Sequence, residues 1–147
     1  DRIVVFRPDG SVLATYGSEG SGAGQFNEPV GVSIASDGTV FVADMYNARV
    51  VMLDGNGGWK GSFPVQGWGG QDVADKPYLE ALGDGRVVVG WPAGNQVRVY
   101  QRDGRVSGTV TGGGEGLSQP YGLVTTADGK LWVVEGGSGR LRQFTLP

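Results

Sequence analysis

The sequence predicts an all-β chain of repeated four-stranded antiparallel units, and three observations carry that prediction. Six Asp-Gly pairs, at Asp9-Gly10, Asp37-Gly38, Asp54-Gly55, Asp84-Gly85, Asp103-Gly104 and Asp128-Gly129, each lie between two short apolar runs. Asp-Gly supplies the positive φ angles that a tight antiparallel turn needs, so each pair marks a hairpin. Taken alternately, the pairs form two series, 9, 54, 103 and 37, 84, 128, whose steps are 45, 49, 47 and 44 residues. A period in that range with four strands per unit means β-propeller blades. The apolar runs are also short and rich in Val and aromatics, as strands are. The 29 glycines, set against only 7 prolines, punctuate strands rather than form a disordered tract.

Residues 2–6 and 11–16 match the third and fourth strands of a partial blade ending at residue 16. Residues 17–65 hold the first complete blade, with strands at 29–34, 39–44, 49–54 and 59–65. Residues 66–110 repeat the pattern at 77–82, 86–91, 96–100 and 105–110. Residues 111–147 give three more strands, at 120–125, 130–135 and 140–144. The expectation is a single domain of thirteen strands, three blades' worth. Blades bury their faces against neighbours, so three of them leave two raw apolar faces that something must cover. The mid-blade start reads as a truncation of a longer propeller, or as an excised segment. Either way, completion by self-association, for instance through residues 11–16, or by missing upstream blades is expected.

At 147 residues the chain is one ordinary domain. It has no cysteine and therefore no disulfides, which leaves the compartment open. It also has no histidine, which removes the commonest general base and metal ligand. A net charge of -3 argues against a nucleic-acid partner, whose phosphates want a basic face. Apolar stretches such as Val87-Val88-Val89 are far too short for direct membrane insertion.

The run Gly24-Gln25-Phe26-Asn27-Glu28-Pro29-Val30-Gly31-Val32, followed by Asp37-Gly38, Phe41-Val42-Ala43-Asp44, Asn47 and Arg49-Val50, closely resembles an NHL repeat. The likeness extends over nearly the whole chain but decays. The second complete blade has Trp91 for the Asp and Gln96 for the Arg, and the last has Glu135 where Asp44 stood. The resemblance implies a β-propeller of NHL type, usually six-bladed, of which this chain is about half. It also implies an extracytoplasmic setting, as an appendage of a membrane protein.

In a four-stranded blade the turns after the first and third strands share one face, and every Asp-Gly pair falls there. The other face receives the long connections, 17–28, 66–76 and 111–119, with the turns after the second strands at 45–48, 92–95 and 136–139. Long loops on a rigid scaffold are where function sits. Glu19, Glu28, Asp44, Asp72, Asp75, Glu115 and Glu135 outnumber Arg49, Lys76 and Arg140 there, which predicts an acidic face. The candidate ligand-binding residues are Glu28, Asp44, Tyr46, Asn47, Trp68, Tyr78, Glu80, Trp91 and Tyr121. Each has a structural reading beside it. Asp44 and Asn47 suit turn stabilisation, and the aromatics suit either a binding rim or packing between blades. Glu80, aligned from the strand-start prolines with Val32 and Leu123, faces either the axis as a cation ligand or a structural partner, Arg86 or Lys76.

These features point to a non-catalytic binding or scaffolding module that takes a protein, peptide or glycan on the loop-bearing face, with no catalytic residue and no cofactor. The alternative, implied by six-bladed relatives, is a metal-dependent lactonase or lyase using Ca2+ held by carboxylates such as Glu28 and Glu80 with Asn27. A third reading, single-stranded RNA on a basic face, conflicts with the predicted acidity.

Overall fold

A computed structural model describes residues 1–69 and 76–147. A hairpin of β1 (Ile3–Phe6) and β2 (Val12–Tyr16) is followed by three antiparallel blades. The structure adds a short parallel pair, β3 (Ser18–Glu19) with β4 (Gln25–Phe26), inside the first long connection. The first blade is β5 (Pro29–Ile34), β6 (Val40–Asp44), β7 (Arg49–Leu53) and β8 (Trp59–Pro64), and the second is β9 (Leu79–Ala81), β10 (Val87–Trp91), β11 (Gln96–Tyr100) and β12 (Val106–Val110). The third has three strands, β13 (Pro120–Thr125), β14 (Lys130–Glu135) and β15 (Arg140–Thr145). The expected strands are all present.

The turns differ from expectation in one chemical respect. Among these pairs only the glycine is left-handed, with φ 85° at Gly10, 81° at Gly38 and 84° at Gly104. The aspartate acts through its side chain, accepting the amide N–H two residues on: Ser11 to Asp9 at 2.9 Å, Thr39 to Asp37 at 3.0 Å, Arg105 to Asp103 at 3.0 Å. The third pair is also out of register. Gly57 at φ 79°, not Gly55, closes that turn onto the Asp54 carbonyl at 3.0 Å. Asn56-Gly57 therefore stands where the other turns hold Asp-Gly, and positions 9, 56 and 103 are two equal steps of 47 residues.

Blades pack face to face. Phe41, Ala43, Val50 and Phe63 of the first meet Leu79, Val87, Val89 and Tyr100 of the second in one buried core. The second blade's opposite face sets Val88, Val97, Val99 and Val110 against Leu131 and Val133 of the third. A smaller core joins Phe26, Val42, Val51 and Leu53 to Ile3 of β1. Two apolar faces stay open among the described residues. Val32 and Ile34, the latter 66% exposed, line a cavity of about 450 Å³ beside β1. Val124, Val134 and Leu141 form the outer face of the third blade.

Glu80 does not align with Val32 and Leu123. Strands β5 and β13 each carry a bulge just after the opening proline, whereas β9 pairs without one. That one-residue difference moves a side chain to the other face. Glu80 lies opposite Val88, level with Ser33 and Val124. Its carboxylate accepts the hydroxyls of Ser33 on the first blade and Thr125 on the third, each at 3.2 Å, clasping three inner strands. These hydroxyls, rather than Arg86 or Lys76, are its partners.

Candidate functional site

The loop-bearing face is organised by buried carboxylates at the ends of the second strands of two blades. Asp44 closes β6 directly opposite Arg49, which opens β7, so the register itself pairs the charges. Asp44 is fully buried, and both of its oxygens are engaged. Its Oδ1 accepts the Asn27 amide N–H at 2.7 Å, and its Oδ2 accepts Asn47 Nδ2 at 2.9 Å and Arg49 Nε at 2.7 Å. Asn47 Nδ2 also donates to the Gly20 carbonyl at 2.8 Å. The Arg49 guanidinium donates to the carbonyls of Ser21, Gly22 and Gln25. Three side chains thus lace the 17–28 connection to the blade and satisfy its backbone groups there, as buried polar groups require.

The third blade repeats the device with one more methylene. Glu135 is fully buried and accepts Ser138 Oγ at 2.7 Å, Arg140 Nε at 2.9 Å, Arg142 Nη1 at 3.2 Å and the Ser118 amide at 3.3 Å. Sequence reasoning misses Arg142, although its i+2 spacing from Arg140 places it on the same side of the strand. Burial pushes the Glu135 pKa up, but the Ser138 hydroxyl and the Arg140 and Arg142 guanidiniums outweigh it and hold it below its ordinary 4.5. A carboxylate depressed in the folded state contributes stability above its unfolded pKa and loses it as pH falls through the folded value. Wild type should therefore lose stability on acidification below about pH 4.5, and Glu135→Gln should lose less over that range, the slope difference being at most that of one proton. Urea midpoints measured across the acid range check this, and parallel curves would refute it.

The second blade replaces the ion pair with stacking. Trp91 and Gln96 occupy the places of Asp44 and Arg49. The Arg98 guanidinium lies 4.2 Å from the Trp91 ring centroid and donates to the Gln66 carbonyl at 2.9 Å. Trp68 is buried, with its Nε1 donating to the Gly90 carbonyl at 3.2 Å.

The remaining candidates separate by exposure. Tyr46 and Tyr78 are 41% and 43% exposed. Tyr121 packs on Gly136, where an added Cβ would collide with its ring. Glu28 sits in the left-handed region at φ 50° and lines a cavity of about 560 Å³ with Pro29, Val30, Lys76 and Tyr78. The structure therefore gathers Glu28 and Tyr78 at one opening, while Tyr46 stands on the next turn, its backbone N–H donating to the Asn27 carbonyl at 3.2 Å. Asp44, Asn47, Trp68 and Glu80 are taken up by internal contacts. Two of the acidic groups expected on this face, Asp44 and Glu135, are instead buried and paired with arginines. Asp72 and Asp75 lie outside the described residues. Among the described residues no group of three or more acidic side chains is placed to hold a metal ion. No described helix is long and apolar enough to cross a membrane.

Comparison with known proteins gives this geometry a context. The NHL repeat profile matches residues 26–52, the segment built around the Asp44 lacing. The chain is 30% identical over 148 positions to the human E3 ubiquitin-protein ligase TRIM32, a match covering 91% of this chain and 22% of the ligase. Among solved structures it is similar to virginiamycin B lyase from Staphylococcus aureus, with a TM-score of 0.66 and 15% identity over 98% of this chain and 48% of the lyase. A protein of unknown function from Bacteroides caccae gives a TM-score of 0.68 at 17% identity, over 98% of this chain and 55% of that one. The chain thus spans about half the length of these solved neighbours, and at such identities the likeness concerns the fold.

Proposed function

The chain belongs to the NHL-repeat β-propellers, and from that premise we propose that it is a non-catalytic binding module that holds a protein or peptide on its loop-bearing face. The observation that carries the reading is the exposure of Tyr46 and Tyr78, Tyr78 lining the Glu28 cavity and Tyr46 standing on the turn that the buried Asp44–Arg49 pair locks from beneath. Rigid aromatic side chains on a pre-organised surface are the usual anchors of protein interfaces, since little entropy is lost when they bind. The likeness to a stretch making up 22% of a ubiquitin-protein ligase fits a module that is one part of a larger protein. The two open apolar faces fit a propeller completed by further blades.

Selection of a displayed peptide library on the immobilised protein, followed by titration of the enriched peptide, tests this. The Tyr46→Ala, Tyr78→Ala double variant should weaken that peptide about tenfold or more, as loss of interface anchors does, with an unchanged melting temperature. Enrichment of nothing, or of peptides indifferent to both tyrosines, would overturn it. The competing reading, a calcium-dependent lyase-like enzyme, rests on fold likeness to virginiamycin B lyase. A rise in melting temperature on adding calcium would favour that reading instead.

A further inference from the structure

We infer that Asn56 is a site of spontaneous deamidation, through which the one odd turn of the repeat acquires the residue its counterparts already carry. Asn56-Gly57 is the sole Asn-Gly pair of the sequence, and it occupies the turn position that Asp-Gly fills at 9, 37, 84, 103 and 128. Asn56 is exposed, and its side-chain amide makes no hydrogen bond among the described residues. Two other asparagines are held: Asn47 by Asp44 and the Gly20 carbonyl, and Asn95 by the Gln119 amide. Asn27 precedes Glu28, whose bulk crowds the attacking nitrogen.

The chemistry balances without any partner but water. The Gly57 backbone nitrogen bonds to Asn56 Cγ as its proton leaves with the departing amine, so ammonia is released and a succinimide remains. Water then opens the ring. Cleavage of the Cγ–N bond gives an aspartate at position 56, and cleavage of the original peptide bond to Gly57 gives isoaspartate. Glycine at 57 leaves the nitrogen unshielded and its backbone free to adopt the ring geometry. The one obstacle is the bond from Gly57 N–H to the Asp54 carbonyl at 3.0 Å, which an exposed turn breaks in local opening.

The Asp-Gly turns are protected from the same reaction. The Ser11 and Arg105 amides hold Asp9 and Asp103 below the ordinary carboxylate range, the Arg102 guanidinium does so for Asp37, and the Thr126 hydroxyl for Asp128. Each stays an ionised carboxylate, a poor electrophile. The two products at position 56 differ in consequence. Aspartate there restores the turn consensus, whereas isoaspartate adds a backbone methylene next to Gly57, where even a Cβ would collide with the Tyr16 ring. The isoaspartate branch therefore pushes on β2 and loosens the β1–β2 hairpin from the first blade.

The test is peptide mapping of the folded protein aged at mildly alkaline pH. The peptide carrying Asn56 should gain one mass unit and one negative charge, and become a substrate for isoaspartyl methylation, before any peptide carrying Asn27, Asn47, Asn95 or an Asp-Gly pair. Asn56→Asp should co-migrate with the aged product, and Asn56→Ser should abolish the shift. An unchanged Asn56 in the folded protein, with reaction there only after unfolding in urea, would overturn the inference, because the Asp54 carbonyl would then be suppressing attack. Persistence of the acidic shift in Asn56→Ser would overturn it equally.

Discussion

Asp44→Ala is expected to lower the unfolding free energy by about 3–5 kcal/mol, the usual cost of stripping one partner from a buried, hydrogen-bonded ion pair. The substitution leaves Arg49 Nε, Asn47 Nδ2 and the Asn27 amide without their acceptor. The Arg49 side chain is only 13% exposed, so water cannot readily replace the carboxylate. Because the same guanidinium also holds the carbonyls of Ser21, Gly22 and Gln25, the 17–28 connection should loosen with it. Asp44→Asn keeps the volume but turns an amide donor or a weaker acceptor toward Arg49, so it should fall between wild type and Ala. Replacing both partners, as Asp44→Leu with Arg49→Met, should recover part of the loss, since an apolar pair leaves no orphaned charge. Urea denaturation of the four proteins decides the matter. A loss under about 1 kcal/mol for Asp44→Ala would place the pair among surface salt bridges, contrary to its burial.

The blade architecture is legible in the sequence because its signals are local. Turn residues and strand periodicity act within a few positions, so the strands stand where Asp37, Asp84, Asp103 and Asp128 place them. What escapes depends on counting across longer distances. Asp54-Gly55 mimics the repeat while Asn56-Gly57 fulfils it, and only the carbonyl that accepts the Gly57 N–H separates the two. Glu80 is misaligned from sequence because proline and turn give different registers when one strand lacks a bulge. The electrostatics of the loop-bearing face are illegible for a related reason. Asp44 and Glu135 read in the sequence as surface charges of that face, yet folding submerges both beneath arginines drawn from strands that only pairing brings alongside. The exposed tyrosines are legible as residues but not as exposed ones, since Trp68 carries the same aromatic signal and is buried.

Phe41→Ala is expected to cost about 3–5 kcal/mol, as deletion of a buried aromatic does, and to change how the protein unfolds as well as when. Phe41 is fully buried where the first and second blades meet, packed among Ala43, Phe63, Val87 and Tyr100. Its ring also lies 5.6 Å from the Arg102 guanidinium, which reaches from the second blade to Asp37 at 2.7 Å and so bridges the same interface. In a repeat protein stability is the sum of unit terms and nearest-neighbour interfaces, so one damaged interface uncouples units without weakening the others. The second core, around Val88, Val99, Leu131 and Val133, shares no side chain with Phe41 and should survive. Hydrogen exchange in Phe41→Ala should therefore accelerate in β5 to β8 first, while β11 and β14 keep more of their protection, and the urea transition should broaden. Ile34→Ala removes apolar volume from an open face at 66% exposure and should stay within about 0.5 kcal/mol of wild type. If both variants lost the same stability, or if exchange in Phe41→Ala rose uniformly over all three blades, the protein would be one cooperative body, and blade-by-blade reasoning about its surfaces would fail with it.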